Sequence, residues 1–348
     1  MNSKTSHSDT YRFEGCTLTG ALSVTTAVTD GISIIHGPAG CTHHNLSLIY
    51  ATLLDQKSGP FPALHSDRIG EDEIIFGGEE KLTAAIRDAV RDGYASVLVL
   101  GTCVTAAIGD DIASVCGQDW PVPVVPVQTQ GFLGGVFSTG FYNALSALAG
   151  LAPAVREGRA EQGSGPCVNL IGEKNLEYAV DENAAEVTRL LGRAEIGVNL
   201  RFVRGISTGE IALLGRADLN ILREPSLAAF GEELQQRFST PYLDGFPVGL
   251  EGTLRFIREA ADRCAVDGTA AVEEEEILQE QMLDRFERLR GARVRFGQPS
   301  DRFTAELADR LGLVVSSDGA PVRIPVPFPV GTAGIRRMLQ QWRRTIDA

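Results

Sequence analysis

Several common carriers of function are missing from this chain. None of its six cysteines stands in C-x-x-C spacing, which removes the usual structural zinc signatures. So few thiols among 348 residues also argue against a disulfide framework. Histidine is scarce, with five in all and none after His65. Net charge is −13 and no cluster of Lys and Arg forms a basic stripe, so nucleic acid is not an expected partner. No apolar run reaches the ~18 residues of a membrane span. The opening MNSKTSHSDTYRFEG holds no secretory apolar stretch, and the expectation is a cytoplasmic protein without membrane association. Gly77-Gly78-Glu79 opens a helix, but without the Lys and Ser or Thr of a phosphate loop, so the chain itself is not expected to bind nucleotide.

What remains is the composition of a soluble globular protein, 43% hydrophobic and 22% charged, long enough for two domains and a fraction. Short apolar runs alternate with amphipathic stretches. GISIIHG (31–37), EIIFGG (73–78), ASVLVLGT (95–102) and PVPVVPVQT (121–129) read as strands; 40–55, 79–92, 105–117 and 136–150 read as helices. REGRAEQGSGP (156–166) reads as a linker, after which strands at 167–172, 195–203 and 217–223 alternate with helices near 181–192, 226–238 and 249–262, and a further helix starts near Ser207. The pattern predicts an α/β fold of two doubly wound, Rossmann-like parallel-sheet domains, at 1–155 and 166–265. Residues 266–348 read as one long helix over 273–291 and a reduced C-terminal element of one strand, a helix and a closing helix at 331–346.

In open α/β sheets ligands sit at the carboxyl ends of the strands. Here those turns hold sulfur. The first strand runs into His36-Gly37-Pro38-Ala39-Gly40-Cys41, followed by Thr42-His43-His44, and the strand 95–101 runs into Gly101-Thr102-Cys103. Cys16 stands just ahead of the first helix. Helix N-termini favour thiolates, and thiolates are what an iron–sulfur cluster requires. Gly37, Gly40 and Gly101, lacking Cβ, allow close backbone approach to a bulky group. From spacing alone, ordinary buried thiols in tight turns are the commoner arrangement. That is the reading given to Cys116, Cys167 and Cys264. His36 either shapes the turn or touches a bound group, and His7 and His65 read as surface residues.

The runs GCTLTGAL, TDGISIIHGPAGCTHHN, SDRIGEDEIIFGGEEKL and VLVLGTCVTAAIGDDI, continued by VNLIG, STGEIALLGRADLNIL and FPVGLEGTLRFI, resemble the nitrogenase component 1 superfamily. Its members include the nitrogenase subunits, their cofactor-assembly scaffolds, dark-operative protochlorophyllide reductase and the nickel-sirohydrochlorin a,c-diamide reductive cyclase (CfbD type). The resemblance implies that Cys16, Cys41 and Cys103 ligate an iron–sulfur cluster of the 4Fe–4S kind. A cubane held by three cysteines needs a fourth ligand from the partner chain, another side chain or solvent. It further implies a homodimer paired through the first domain. ATP would be hydrolysed by a separate nitrogenase reductase-like iron protein (CfbC type). A tetrapyrrole would lie in the cleft between domains, near Phe132 and Phe137, with His43 and His44 as candidate proton donors. The lack of histidine after His65 and the short last domain resemble the CfbD branch best, which makes the expected substrate a nickel tetrapyrrole on the route to coenzyme F-430 in methanogenesis. A protochlorophyllide-type reductase component and a non-catalytic cluster-assembly scaffold are the rival expectations.

Overall fold

The strand-forming segments bury what their sequences say they should. Both β1 (Gly31–His36) and β3 (Ser96–Gly101) are buried at every residue. They form the centre of an all-parallel sheet in the order β2-β1-β3-β4, with β2 at Leu64–Ser66 and β4 at Val124–Val127. Continuous apolar strands are what a sheet covered on both faces requires. The cover comes from α1 (Thr17–Thr25), α2 (Ala39–Gln56), α3 (Glu71–Phe76), α4 (Glu79–Arg91), α5 (Cys103–Ile108), α6 (Ile112–Cys116) and α7 (Phe137–Ala149). In α4 the stripe Leu82, Ala85, Ile86 and Ala89 faces inward while charged residues face out. The structure, a computed structural model, describes residues 15–56, 61–132, 134–154, 165–177, 179–297 and 302–346.

The helix α1 is buried at all nine residues and packs on α7 through glycines. A Cβ on Gly20 would lie 2.0 Å from the Phe137 carbonyl oxygen, and one on Gly140 would lie 1.8 Å from that of Thr17. Only glycine at both positions lets the two backbones meet, which fixes the helix that Cys16 heads.

A second sheet repeats the arrangement in the order β6-β5-β7-β8, from β5 (Cys167–Ile171), β6 (Gly197–Phe202), β7 (Leu219–Leu222) and β8 (Tyr242–Leu243), all parallel. Its helices are α8 (Val180–Arg193), α9 (Ala228–Phe238) and α10 (Leu250–Arg263). The two sheets share a core: Leu18, Leu22, Phe141 and Leu145 from the first unit pack in one cluster with Ile171, Phe202 and Phe230 from the second. A polar seam reinforces it, with Asp30 accepting from the Thr208 amide at 2.7 Å and hydroxyl at 2.8 Å, and Asn175 donating to the Ser23 carbonyl of α1.

Several sequence expectations change. EIIFGG is not a strand: Glu71–Phe76 is the short helix α3, and the edge strand is Leu64–Ser66. The stretch 105–117 is two helices, α5 and α6, because Gly109 turns left-handed at φ 86° and Asp111 caps a new start by accepting from the Ser114 amide. The segment from Ser207 is a 3-10 helix, Gly209–Arg216. The helix expected over 273–291 is α11 (Thr269–Asp284), followed by a separate 3-10 turn, Glu287–Leu289. The tail has three strands rather than one: β9 (Arg293–Phe296), β10 (Val314–Val315) and β11 (Ala320–Val322) form a third parallel sheet in the order β10-β9-β11. With α12 (Arg302–Leu311) and α13 (Gly331–Ile346) it builds its own core around Val294, Leu307 and Trp342. Most of the linker at 156–166, and His7, lie outside the described residues.

Candidate metal centre

In the first sheet the chain leaves β1 for β2 on one side and returns to β3 on the other, so its switch point is the crevice beyond the carboxyl ends of β1 and β3. Two of the expected cysteines stand there. Cys41 lies in the first turn of α2, after β1, and Cys103 is the first residue of α5, after β3. The third, Cys16, is the N-cap of α1. The loop after β4 runs beside Cys103 and Thr17. Its Gly131 amide donates to Cys103 Sγ at 3.4 Å, and Gly131 and Gly135 press on Thr17, the neighbour of Cys16.

The three thiols are close enough to sense one another. Burial, and after it the charges of Cys16 and Cys103, push the Cys41 thiol up. Three thiolates on one face repel, and a cationic centre between them relieves that repulsion. Cys16 is exposed, and Cys41 and Cys103 are half-buried, so the face they form is open. Buried hydroxyls beside two of them, Thr17 Oγ1 and Thr42 Oγ1, have no hydrogen-bond partner, and neither has Asn45 Oδ1. Orphaned polar atoms around a sulfur-rich opening fit a bound group that supplies acceptors and donors there. Among the described residues no three His, Cys, Asp or Glu side chains close on a single-ion position. Thiolates sharing one ion through bonds of about 2.3 Å must lie within ~4 Å of each other, whereas a multinuclear cluster spaces them wider. Three soft thiols at one opening are the kind of donor an iron–sulfur cluster requires.

The glycines behave differently from expectation. A Cβ on Gly37 would fall 2.2 Å from Thr102 Cγ2, and one on Gly101 2.5 Å from Ile112 Cδ1, so both are reserved for internal packing. Gly40 alone opens on empty space, with nothing within 4 Å of its Cβ position. The two phenylalanines also part company. Phe132 is 72% exposed on the loop that touches Cys103, but Phe137 is 4% exposed and stacked on Phe141 in the core, with no ring face to offer a ligand. His43 and His44 are both exposed in the early turns of α2. The remaining cysteines lie elsewhere: Cys116 is buried with its thiol pushed up to about 12 by burial, Cys167 starts β5, and Cys264 caps α10.

The sequence did not reveal what surrounds His36. The residue is fully buried at the end of β1, its Nδ1 against Asp67 and its Nε2 2.9 Å from Asp110. Nor did it reveal the cluster beyond the second sheet, where Lys174 pairs with Glu224 at 3.2 Å and Arg223 with Glu177 at 3.3 Å. The available signal was a run of charged residues directly after an apolar strand, GEKN after β5 and REP after β7.

A family model described as nitrogenase component 1 type oxidoreductase matches residues 16–302, from the first candidate ligand to the start of α12. This chain belongs to the nitrogenase component 1 family. The family carries iron–sulfur clusters, in keeping with the donor set just described. Among its relatives, the B component of light-independent protochlorophyllide reductase from Rhodopseudomonas palustris (strain BisB5) is 29% identical over 76% of this chain and 50% of its own length. The nitrogenase iron-molybdenum cofactor biosynthesis protein NifE of Clostridium pasteurianum is 29% identical over 71% of this chain and 53% of its own. The chain thus spans about half the length of these curated relatives. The solved structure of nitrogenase Cp1 at pH 5 superposes with a TM-score of 0.66 at 22% identity, over 88% of this chain and 63% of that one, which establishes the shared fold. Among the described residues no helix is long and apolar enough to cross a membrane.

Proposed function

We propose that this chain is the cluster-holding component of a nitrogenase-like, ATP-dependent reductase that acts on a tetrapyrrole, with Cys16, Cys41 and Cys103 as ligands. The observation that carries this reading is the convergence of three thiols from three helix starts on one open face at the switch point of the first sheet. A bound 4Fe–4S cluster would supply single-electron transfer there. The chain's own part is to hold the thiolates, offer amides such as that of Gly131 to their sulfurs, and bring a flat substrate alongside. Phe132 supports the last role, since an exposed ring on the loop that touches Cys103 suits stacking against a planar macrocycle.

Two partners complete the site. The open thiol face calls for a second subunit to shield it and to contribute the fourth ligand. We assign this place to a second copy of the chain. A separate iron protein hydrolyses the ATP, because no phosphate loop occurs in this sequence. Its docking surface is α3, where Ile74, Ile75 and Phe76 are exposed and Phe76 reaches 84%. An exposed apolar patch of this kind marks an interaction site. The same helix packs against α5, which Cys103 heads, so the docked protein would sit one helix away from a ligand.

The substrate proposed is nickel-sirohydrochlorin a,c-diamide, with His43 or His44 delivering protons from the rim of the cysteine face. The test uses anaerobically purified chain, the CfbC-type iron protein, ATP and a reductant, with the nickel ring and protochlorophyllide offered in parallel. Reduction of the nickel ring, seen as a change in its visible spectrum, supports the assignment. Reduction of protochlorophyllide alone replaces the substrate and keeps the mechanism. The relative named as a cofactor biosynthesis protein favours one further reading, that of a non-catalytic scaffold. Transfer of the cluster to another protein with neither ring consumed would establish that reading instead.

A further inference from the structure

Four loops meet beneath the cysteine face, and one side chain joins them. The His36 ring places Nδ1 against Asp67 Oδ2, beyond β2, and Nε2 2.9 Å from Asp110 Oδ2, between α5 and α6. The outer carboxylate oxygens continue the bracing. Asp67 Oδ1 accepts from the Gly37 amide at 3.1 Å, in the turn that leads to Cys41. Asp110 Oδ1 accepts from the Gly78 amide at 2.9 Å, between α3 and α4. The His36 carbonyl accepts from the Thr102 amide at 3.1 Å, one residue before Cys103. His36, Asp67 and Asp110 have side-chain exposures of 0%, 1% and 3%.

A neutral imidazole has one N–H and cannot donate to both carboxylates; only the imidazolium can. A neutral ring would aim a lone pair at a buried carboxylate oxygen. Burial by itself lowers the affinity of His36 for its second proton, but the hydrogen bonds and charges of Asp67 and Asp110 outweigh it and raise the value above the ordinary one. Other charges nearby are occupied at the surface: Lys81 pairs with Glu73 and donates to the Arg68 carbonyl, and Glu79 accepts from the Asp111 amide.

We propose that His36, clamped between Asp67 and Asp110, is a positioning residue that fixes the Cys41 turn relative to the helix headed by Cys103 and to the docking helix α3. The role rests on the cluster reading given above. The imidazolium is the centre of a two-sided brace, and its removal frees the Cys41 turn without touching a ligand. Because the folded value lies above the unfolded one, the stabilisation is fully present below the ordinary histidine range. It is lost as pH rises through the folded value.

The experiment uses the full chain as wild type, His36→Gln and Asp110→Asn, each in cluster-free and iron-loaded form. In the cluster-free form, iodoacetamide alkylation at pH 7 is followed cysteine by cysteine by mass spectrometry. Cys41 is expected to react at least about five-fold faster in His36→Gln and less strongly so in Asp110→Asn, with Cys116 unchanged as the internal control. The thermal midpoint of the wild type is expected to fall, relative to His36→Gln, as pH rises from 6 to 9, a pH response that mere packing would not produce. In the loaded form, the cluster's midpoint potential should shift in both variants. Should His36→Gln not fold, Asp110→Asn carries the test, since it removes one charge and keeps the ring. A Cys41 rate within two-fold of wild type in every folded variant, or an unchanged pH response in His36→Gln, overturns the proposal. A wild-type chain that takes up no iron sinks the cluster reading, while the alkylation rates still decide whether the brace exists.

Discussion

The first two sheets present equivalent places to the solvent and furnish them in opposite ways. Beyond β1 and β3 the switch point carries thiols at helix starts. Beyond β5 and β7, the corresponding place in the second sheet, it carries ion pairs: Lys174 with Glu224, Arg223 with Glu177, and Arg201 with Glu173 in two hydrogen bonds of 2.7 and 2.8 Å. Burial, with the charge of Glu224, pushes the Glu177 carboxyl up against the opposing pull of Arg223 and Lys174. Topology therefore determines where a ligand can approach, and the side chains at that place determine which chemistry it meets. One edge offers soft donors to a metal. The other offers paired charges, which can line a cleft for a polar or charged organic molecule but would bind a soft metal poorly.

The largest effects are expected at the sulfur edge. Replacing Cys16, Cys41 or Cys103 by Ala should each abolish or cripple iron binding in anaerobically purified protein, because no neutral side chain replaces a thiolate on iron. Cys116→Ala, Cys167→Ala and Cys264→Ala should keep both the iron and the dithionite-bleachable absorption band. Full iron content in the triple variant of Cys16, Cys41 and Cys103 would remove the distinction between the two edges.

Next in size is the core that holds the edges together. Phe230 is fully buried where the first and second units share their packing, edge-on to Tyr142 and stacked on Phe202. Phe230→Ala should cost about 3–5 kcal/mol, measured by urea unfolding. If the two units unfold separately in that variant, the shared core was the main link between them. A smaller loss is expected at the charged edge. Arg201→Ala strands the carboxylate of Glu173, which is 2% exposed, but Arg201 itself is 29% exposed and water screens part of the effect. About 2–3 kcal/mol is expected, with iron content unchanged. Loss of iron in Arg201→Ala would mean that the edges are not independent.

The contrast between the edges was only partly legible in the sequence. Cys41 and Cys103 stand in turns directly after strongly apolar strands, so their place at a sheet edge followed from local pattern. The helix α3 did not, because Ile74, Ile75 and Phe76 are a β-like run in sequence and are exposed in the fold. A sequence does not distinguish apolar residues that a core will bury from those the fold leaves exposed. The brace around His36 was hidden for another reason: Asp67 and Asp110 lie 31 and 74 residues away, so only tertiary structure brings them to the ring. In the last sheet one strand was expected and found as β9, but β10 and β11 were missed because strands of two and three residues are too short to show a period.

Two glycines of one turn give the finest test of what the sulfur edge is built for. In Gly37→Ala the new methyl would lie within 2.2–2.8 Å of Thr102 side-chain atoms, next to Cys103, so the turn must shift. That variant should lose about 1–3 kcal/mol of stability even without iron, the usual cost of overpacking. In Gly40→Ala the methyl would meet nothing, and the residue lies in the first turn of α2, where alanine is favoured over glycine by up to about 1 kcal/mol. Cluster-free Gly40→Ala should therefore be as stable as wild type or slightly more so. With iron and sulfide supplied, the same methyl projects into the opening beside Cys41 and should slow or weaken cluster uptake. Urea unfolding of the cluster-free proteins and iron uptake, measured on the same two variants, separate the effects. If Gly40→Ala takes up iron like wild type, the empty space beside Gly40 is not where the cluster sits, and the ligand face must turn toward the loop that carries Phe132.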